Sequence, residues 1–90
     1  MAISIDQTLK DDLRRIATAA VGPNALIGFE VEPYVDHNDE DALRILLILA
    51  PDRIADIDRL TVMTDLFDAL MERGVSLFPY TTFALEGEAA

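Results

Sequence analysis

The sequence predicts an α+β fold in which two helices pack on one face of a three-stranded mixed sheet, in the order αββαβ. Two segments carry apolar residues at helical spacing, one alternates between apolar and polar residues, and two more are rich in aliphatic or aromatic residues. Two helices are enough to cover one face of a sheet of three strands. Ninety residues fit a single domain spanning 1–90, in which we expect 86–90 to be a frayed tail.

The first helix is predicted at about residues 5–21. Ser4 and Gln7 have the spacing of a capping box, Asp6 is expected in the first turn, and Gly22 is a stop signal. One narrow apolar stripe follows helical spacing: Ile5, Leu9, Leu13, Ile16 and Ala20. A stripe of this width provides a single packing surface.

The next segment, ALIGFEVEPYVD, predicts a strand with one face in water. The apolar residues of its core face are Ile27, Phe29, Val31 and Val35. Pro33 cannot donate a hydrogen bond to a neighbouring strand, so it indicates an edge strand or a bulge. In the hairpin that follows, we expect Val35 to lie opposite Leu43, with Tyr34 near Arg44.

The segment ALRILLILA predicts the central strand because it is apolar on both faces. Its core face is formed by Leu43, Ile45, Leu47 and Leu49. Leu46 and Ile48 alternate with these residues and therefore lie on the opposite face. With this strand in the centre, the order is 1-2-3, the first two strands are antiparallel and the third is parallel to the second.

The second helix lies between Asp58, a candidate N-cap, and Gly74, which is placed to end it in a left-handed conformation. We expect its packing stripe to consist of Leu60, Met63, Phe67 and Leu70, widened by Leu66 and Met71. The third strand is predicted within 75–85, VSLFPYTTFAL, where Pro79 again indicates an edge or a bulge.

Charge and composition exclude several classes of function. Seven basic and seventeen acidic residues give a net charge of -10, so the surface repels polyanions and nucleic-acid binding is not expected. The chain has no cysteine, which excludes disulfides and thiolate metal sites. No apolar run approaches the ~20 residues that span a bilayer, and no signal peptide is found, so we expect a soluble cytoplasmic protein without membrane contact.

The polar segment 34–41, YVDHNDED, is the only candidate metal site in the sequence. Its possible ligands are Asp36, His37, Asp39, Glu40 and Asp41. A calcium loop would need glycine where Asp41 lies and glutamate where Leu47 lies. One histidine among carboxylates is a poor set of ligands for zinc. We therefore interpret the segment as a solvated hairpin loop and expect no cofactor.

No catalytic motif is found, so we expect no enzyme. The only histidine, His37, has as possible nucleophilic partners only serines and threonines that are distant in the sequence. Glu30 and Glu32 share one strand face, but alternation places acids on a face in water whether or not chemistry follows. The four glycines do not form a phosphate-binding loop.

The order of the elements resembles the small BolA-like and type II KH folds. Those folds usually have an additional helix, and the nucleic-acid binders among them have a basic GxxG loop that this chain lacks, so the resemblance implies a topology and no function. In the segments DHNDEDALRILLIL and LFPYTTF, the chain also resembles small bacterial αββαβ proteins without an assigned activity. That resemblance implies no mechanism.

The leading hypothesis from the sequence is a non-enzymatic module for protein-protein interaction or dimerisation, such as an adaptor or an antitoxin-like protein. Its predicted interface consists of Leu46, Ile48, Phe78 and Tyr80. The partner is a second copy of the chain or another protein, and the acidic surface favours a basic one. The alternatives are a small metal-dependent binder or enzyme that uses the loop around His37, and a nucleic-acid binder, which the charge disfavours.

Overall fold

The computed structural model describes residues 6–22, 24–52 and 57–87. Its elements are helix α1 (Gln7–Val21), strand β1 (Leu26–Val35), strand β2 (Asp41–Leu49), helix α2 (Arg59–Glu72) and strand β3 (Phe78–Leu85). In the sheet, of order β1-β2-β3, β2 is antiparallel to β1 and parallel to β3. The predicted α+β fold and its strand directions are confirmed. Within these ranges, neither helix is long and apolar enough to cross a membrane.

The core lies between the two helices and one face of the sheet. Its buried residues are Leu13, Ala17, Val31, Leu43, Ile45, Leu47, Leu49, Val62, Leu66, Ala69 and Leu70. Strand β2 contributes four of them, because it is central and alternate residues point to the helices. Burial of each such aliphatic side chain contributes about 1.5–3 kcal/mol to folding. The core face predicted for β2 is therefore confirmed.

Helix α1 begins at an aspartate cap. The Oδ1 atom of Asp6 accepts a hydrogen bond from the backbone N–H of Leu9 at 2.8 Å, so Asp6 is the N-cap and does not lie in the first turn as predicted. Ser4 and Ile5 lie outside the described residues, so the capping box and the start of the apolar stripe stay predictions. The rest of the predicted stripe packs against the core, and Gly22 ends the helix at a φ of 103°.

Helix α2 has the predicted ends. The side chain of Asp58 accepts a hydrogen bond from the backbone N–H of Thr61 at 3.2 Å. At the other end Gly74 has a φ of 75°, and the N–H groups of Gly74 and Val75 bond to the carbonyl groups of Met71 and Leu70. This pair of bonds is the Schellman arrangement, which favours glycine because its left-handed conformation is costly for other residues.

The predicted packing stripe of α2 was right for Leu66 and Leu70 and wrong for its other four residues. The helix buries Val62, Leu66, Ala69 and Leu70, whereas most of the predicted stripe is exposed. The side chains at the surface are Leu60 (74% exposed), Met63 (37%), Phe67 (40%) and Met71 (55%). The helix carries two neighbouring apolar rows with the same four-residue spacing, one through Val62 and Leu66 and one through Met63 and Phe67. Periodicity alone does not decide between them.

Strand β1 departs from the predicted alternation at both ends. A register shift between Leu26 and Gly28 places Leu26 against the core and leaves Ile27 exposed. Val35 is also exposed, because it pairs with Asp41 at the mouth of the hairpin and not with Leu43 as predicted. Between these ends, the core-facing positions predicted for Phe29 and Val31 are confirmed.

Each edge strand contains a proline at the same level of the sheet. Pro33 in β1 and Pro79 in β3 both pair with Leu43 of the central strand. Because proline has no N–H group, it interrupts the row of donors that an edge strand offers to other chains. The edge positions predicted from the two prolines are confirmed.

Candidate interaction surface

The sheet face opposite the helices brings together the four residues predicted as an interface. Tyr80 pairs with Arg44 and Phe78 with Ala42 in parallel register, so their side chains point to the same side as those of Leu46 and Ile48. Both helices pack against the other face. We call this surface the open face. It consists of Gly28, Glu30, Glu32, Tyr34, Ala42, Arg44, Leu46, Ile48, Phe78, Tyr80, Thr82 and Ala84.

One end of the open face is aliphatic. Leu46 and Ile48 are each partly exposed there. Ile48 lies across Gly28 of the neighbouring strand, and its Cδ1 atom is 3.1 Å from the position that a Cβ atom on residue 28 would take. The missing side chain at Gly28 thus leaves room for Ile48, which packs over the backbone of Gly28 and makes this end of the face apolar.

The other end of the open face carries three aromatic rings. The ring of Tyr80 meets those of Phe78 and Tyr34 edge to face, with centroids 4.8 and 5.4 Å apart. Such pairs contribute about 0.5–1.5 kcal/mol beyond the area that they bury. The guanidinium carbon of Arg44 lies 4.3 Å from the centroid of Tyr34, as the predicted proximity of these residues implies, and Arg44 also bonds to Glu32 at 3.2 Å. Phe78 remains 53% exposed.

A hydrogen bond ties this aromatic cluster to the hairpin loop. The hydroxyl of Tyr80 donates to Oδ2 of Asp36 at 3.0 Å, while Oδ1 accepts bonds from the backbone N–H groups of Asn38 (2.8 Å) and Glu40 (3.1 Å). The bond from the N–H of Glu40, with those from Asn38 and Tyr80, holds the pKa of Asp36 below its usual value despite some desolvation. The same bond to the Asp36 carboxylate raises the pKa of Tyr80.

The loop that could have held a metal is an exposed hairpin connection. Asp39 has a φ of 60°, a left-handed conformation that aspartate tolerates in turns, and His37 is exposed. Asp36 uses its carboxylate to bond the loop backbone and Tyr80. In the part of the chain that the structure describes, no three His, Asp or Glu side chains come together where they could hold a metal ion.

A second exposed apolar surface lies on α2, where sequence reasoning placed part of the core. We call it the α2 stripe, and it consists of Leu60, Met63, Phe67 and Met71. The guanidinium carbon of Arg59 lies 5.7 Å from the ring centroid of Phe83 on β3. Because Arg59, Met63 and Phe67 are four residues apart, they form one row along the helix. The α2 stripe therefore lies on the side of the helix that is turned toward β3.

The high apolar content of α2 indicates the α2 stripe in the sequence, although the prediction did not use it. Nearly every position of α2 between Leu66 and Met71 is apolar, which is more than one narrow packing stripe requires. The aromatic cluster, in contrast, depends on the register of three strands that meet only in the folded chain.

Comparison with known proteins found no match for this chain among family models, curated proteins or solved structures. The open face and the α2 stripe are therefore the basis for inferring function.

Proposed function

We propose that the protein is a non-enzymatic interaction module that forms a homodimer through the open face. The observation that carries this proposal is the joint exposure of Leu46, Ile48 and Phe78 on a sheet face whose helices lie on the other side. Removing apolar surface from water contributes roughly 25 cal/mol for each Å². Apolar side chains exposed at both ends of one uncovered sheet face favour an interface there.

The charge of the open face favours a second copy of the chain as the partner. The charged residues of its strands are Glu30, Glu32 and Arg44, which give the face a net charge of -1, or -2 with the adjoining Asp36, whereas the whole chain has -10. In a two-fold dimer each patch meets its own copy, and a strongly charged patch would repel itself. On the open face this repulsion is small, because Arg44 offsets the charge of Glu32, to which it is bonded.

The aromatic end of the open face is held in place before any partner binds. Tyr80 contacts two other rings and bonds to Asp36, and Arg44 covers Tyr34. Rings that are already ordered lose little conformational freedom on association, and aromatic residues and arginine are enriched in interfaces. An adaptor or an antitoxin-like protein is a role that such a dimer would support.

Light scattering on the full chain tests this proposal. The native chain is expected to have the mass of a dimer, and Phe78→Glu that of a folded monomer, because a charge on the open face would be buried without a partner. Phe78 lies on an edge strand and is largely exposed, so this substitution leaves the core intact. Met63→Glu introduces the same charge on the α2 stripe and should remain a dimer.

The double variant Leu46→Glu, Ile48→Glu is a stronger test of the aliphatic end, with circular dichroism to show that it folds. A native chain that is monomeric at the highest attainable concentration would contradict the proposal. So would a Phe78→Glu variant that dimerises as tightly as the native chain.

A further inference from the structure

The α2 stripe is a second interaction surface, on the opposite side of the sheet from the open face. We propose that it binds an amphipathic helix of another protein, with basic residues along the borders of that helix. The inference goes beyond dimerisation, because it concerns different residues and a different partner.

The pattern of exposure sets the α2 stripe apart from ordinary surface residues. Single exposed apolar side chains are common in soluble proteins and need no partner. Here four of them follow one another at intervals of three, four and four residues, which places them in one continuous row on the helix. The outer face of a surface helix is usually polar, so such a row indicates that α2 has a partner on its outer side as well as a core on its inner side.

The charges around the α2 stripe identify the kind of partner. The exposed acidic residues of α2 are Asp68 and Glu72, Asp65 is partly buried, and Asp68 lies one turn from Met71 of the stripe. The two arginines at its ends are already engaged, because Arg59 lies over the ring of Phe83 and Arg73 bonds to Asp12 and to a backbone carbonyl. A second copy of α2 would bring like charges together, whereas lysine or arginine on a partner would meet opposite charges.

The shape of the stripe favours a helix as the partner. Eleven residue steps separate Leu60 from Met71, which corresponds to about 16 Å along the helix axis, or three turns. A partner helix presents apolar residues at the same spacing over the same length, as in the recognition of amphipathic helices by apolar surfaces. Met63 and Met71 are flexible, so the stripe adapts to partner side chains of different shapes.

The experiment uses the full chain and a fluorescent peptide of leucine and lysine, with leucines at helical spacing on one face and lysines on the other. A matched peptide with glutamate in place of every lysine serves as the control for charge. At physiological ionic strength the lysine peptide should bind and gain helicity, and the glutamate peptide should not bind. The double variant Met63→Ser, Phe67→Ser should weaken binding by about tenfold or more, because it truncates the centre of the surface.

Phe78→Ser is the matched control, since it removes an exposed aromatic residue of the open face and leaves α2 unchanged. It should bind the lysine peptide like the native chain.

If the variant with Met63→Ser and Phe67→Ser binds as well as the native chain, the attraction is general electrostatics and the proposal fails. It also fails if the glutamate peptide binds equally, or if the stripe variant turns a native dimer into a monomer, since α2 would then contact a second copy. The dimer is measured by mass, so either proposal can fail alone.

Discussion

The open face and the α2 stripe both expose apolar side chains, but they differ in charge and in rigidity. The open face has a net charge of -1, and its rings are fixed by contacts with one another, Arg44 and Asp36. The α2 stripe contains two methionines and lies on a helix that also exposes Asp68 and Glu72. We propose a partner for each surface. The charge around each one favours a copy of the chain for the open face and a basic protein for the α2 stripe.

The two sides of α2 should differ most strongly in their effect on stability. Leu66 is fully buried, so Leu66→Ala should lower the free energy of unfolding by about 2–5 kcal/mol through lost burial and the cavity that remains. Phe67 is 40% exposed, so Phe67→Ala should cost clearly less. Urea unfolding of the two variants makes the comparison. Equal losses would mean that α2 is turned to bury Phe67 as well.

This pair of neighbouring residues also shows what the sequence could and could not predict. The order and direction of the elements were predictable, because alternation, the prolines of the edge strands and the helix caps are local signals. The alternation of side chains along β2 predicted that Leu46 and Ile48 lie on the same face of the sheet. The pairing of β2 with β3 places Phe78 and Tyr80 on that face as well. The rotation of α2 was not predictable from spacing, since its two apolar rows have the same period.

The remaining errors arise where the pairing of strands departs from simple alternation. The register shift near Leu26 moves Ile27 out of the core, and the hairpin pairs Val35 with Asp41. A shift of one residue in the pairing moves every side chain beyond it to the other face of the sheet. An error in predicting the faces therefore stays local only if the regular pairing resumes. The hydrogen bond between Tyr80 and Asp36 joins residues that are 44 positions apart, and no local pattern indicates it.

Charge reversal on the open face should affect association more than stability. Arg44→Glu changes the net charge of the open face from -1 to -3 and should therefore weaken the dimer, as sedimentation would show through a higher dissociation constant. The ion pair of Arg44 with Glu32 and its contact with the Tyr34 ring both lie at the surface, so Arg44→Gln should change the unfolding free energy by only about 1 kcal/mol. A much larger loss would show that these contacts of Arg44 support the fold itself.

The bond between Tyr80 and Asp36 should be visible in the titration of both groups. The pKa of Tyr80 is raised above its usual 10.0, so Asp36→Asn should bring it back toward that value in an ultraviolet titration. Asp39→Asn, in the same loop, is the control and should leave the tyrosine titration unchanged. The stabilisation from Tyr80 is complete below pH 10.0 and is lost as the pH rises through its raised pKa.

The acid side of the same bond should have a smaller effect. Tyr80→Phe removes one of the donors that lower the pKa of Asp36, so this pKa should move part of the way back toward 3.8, as NMR of the carboxyl carbon would show. A group with a lowered pKa contributes its stability above its unfolded value and loses it as the pH falls through the folded value. The variant should therefore lose stability at neutral pH and differ less from the native chain in acid. An unchanged Asp36 pKa would show that the backbone N–H groups of the loop suffice.

Methyl NMR of the native chain under dilution tests the central claim most directly, because it observes both surfaces at once. We expect the methyl signals of Leu46 and Ile48 to shift as the dimer dissociates, while those of Met63 and Met71 stay in place until the leucine and lysine peptide is added. The account would be contradicted if the signals of Leu46 and Ile48 did not change with concentration. It would also be contradicted if only the signals of the two methionines shifted on dilution, because the open face would then not be the dimer interface.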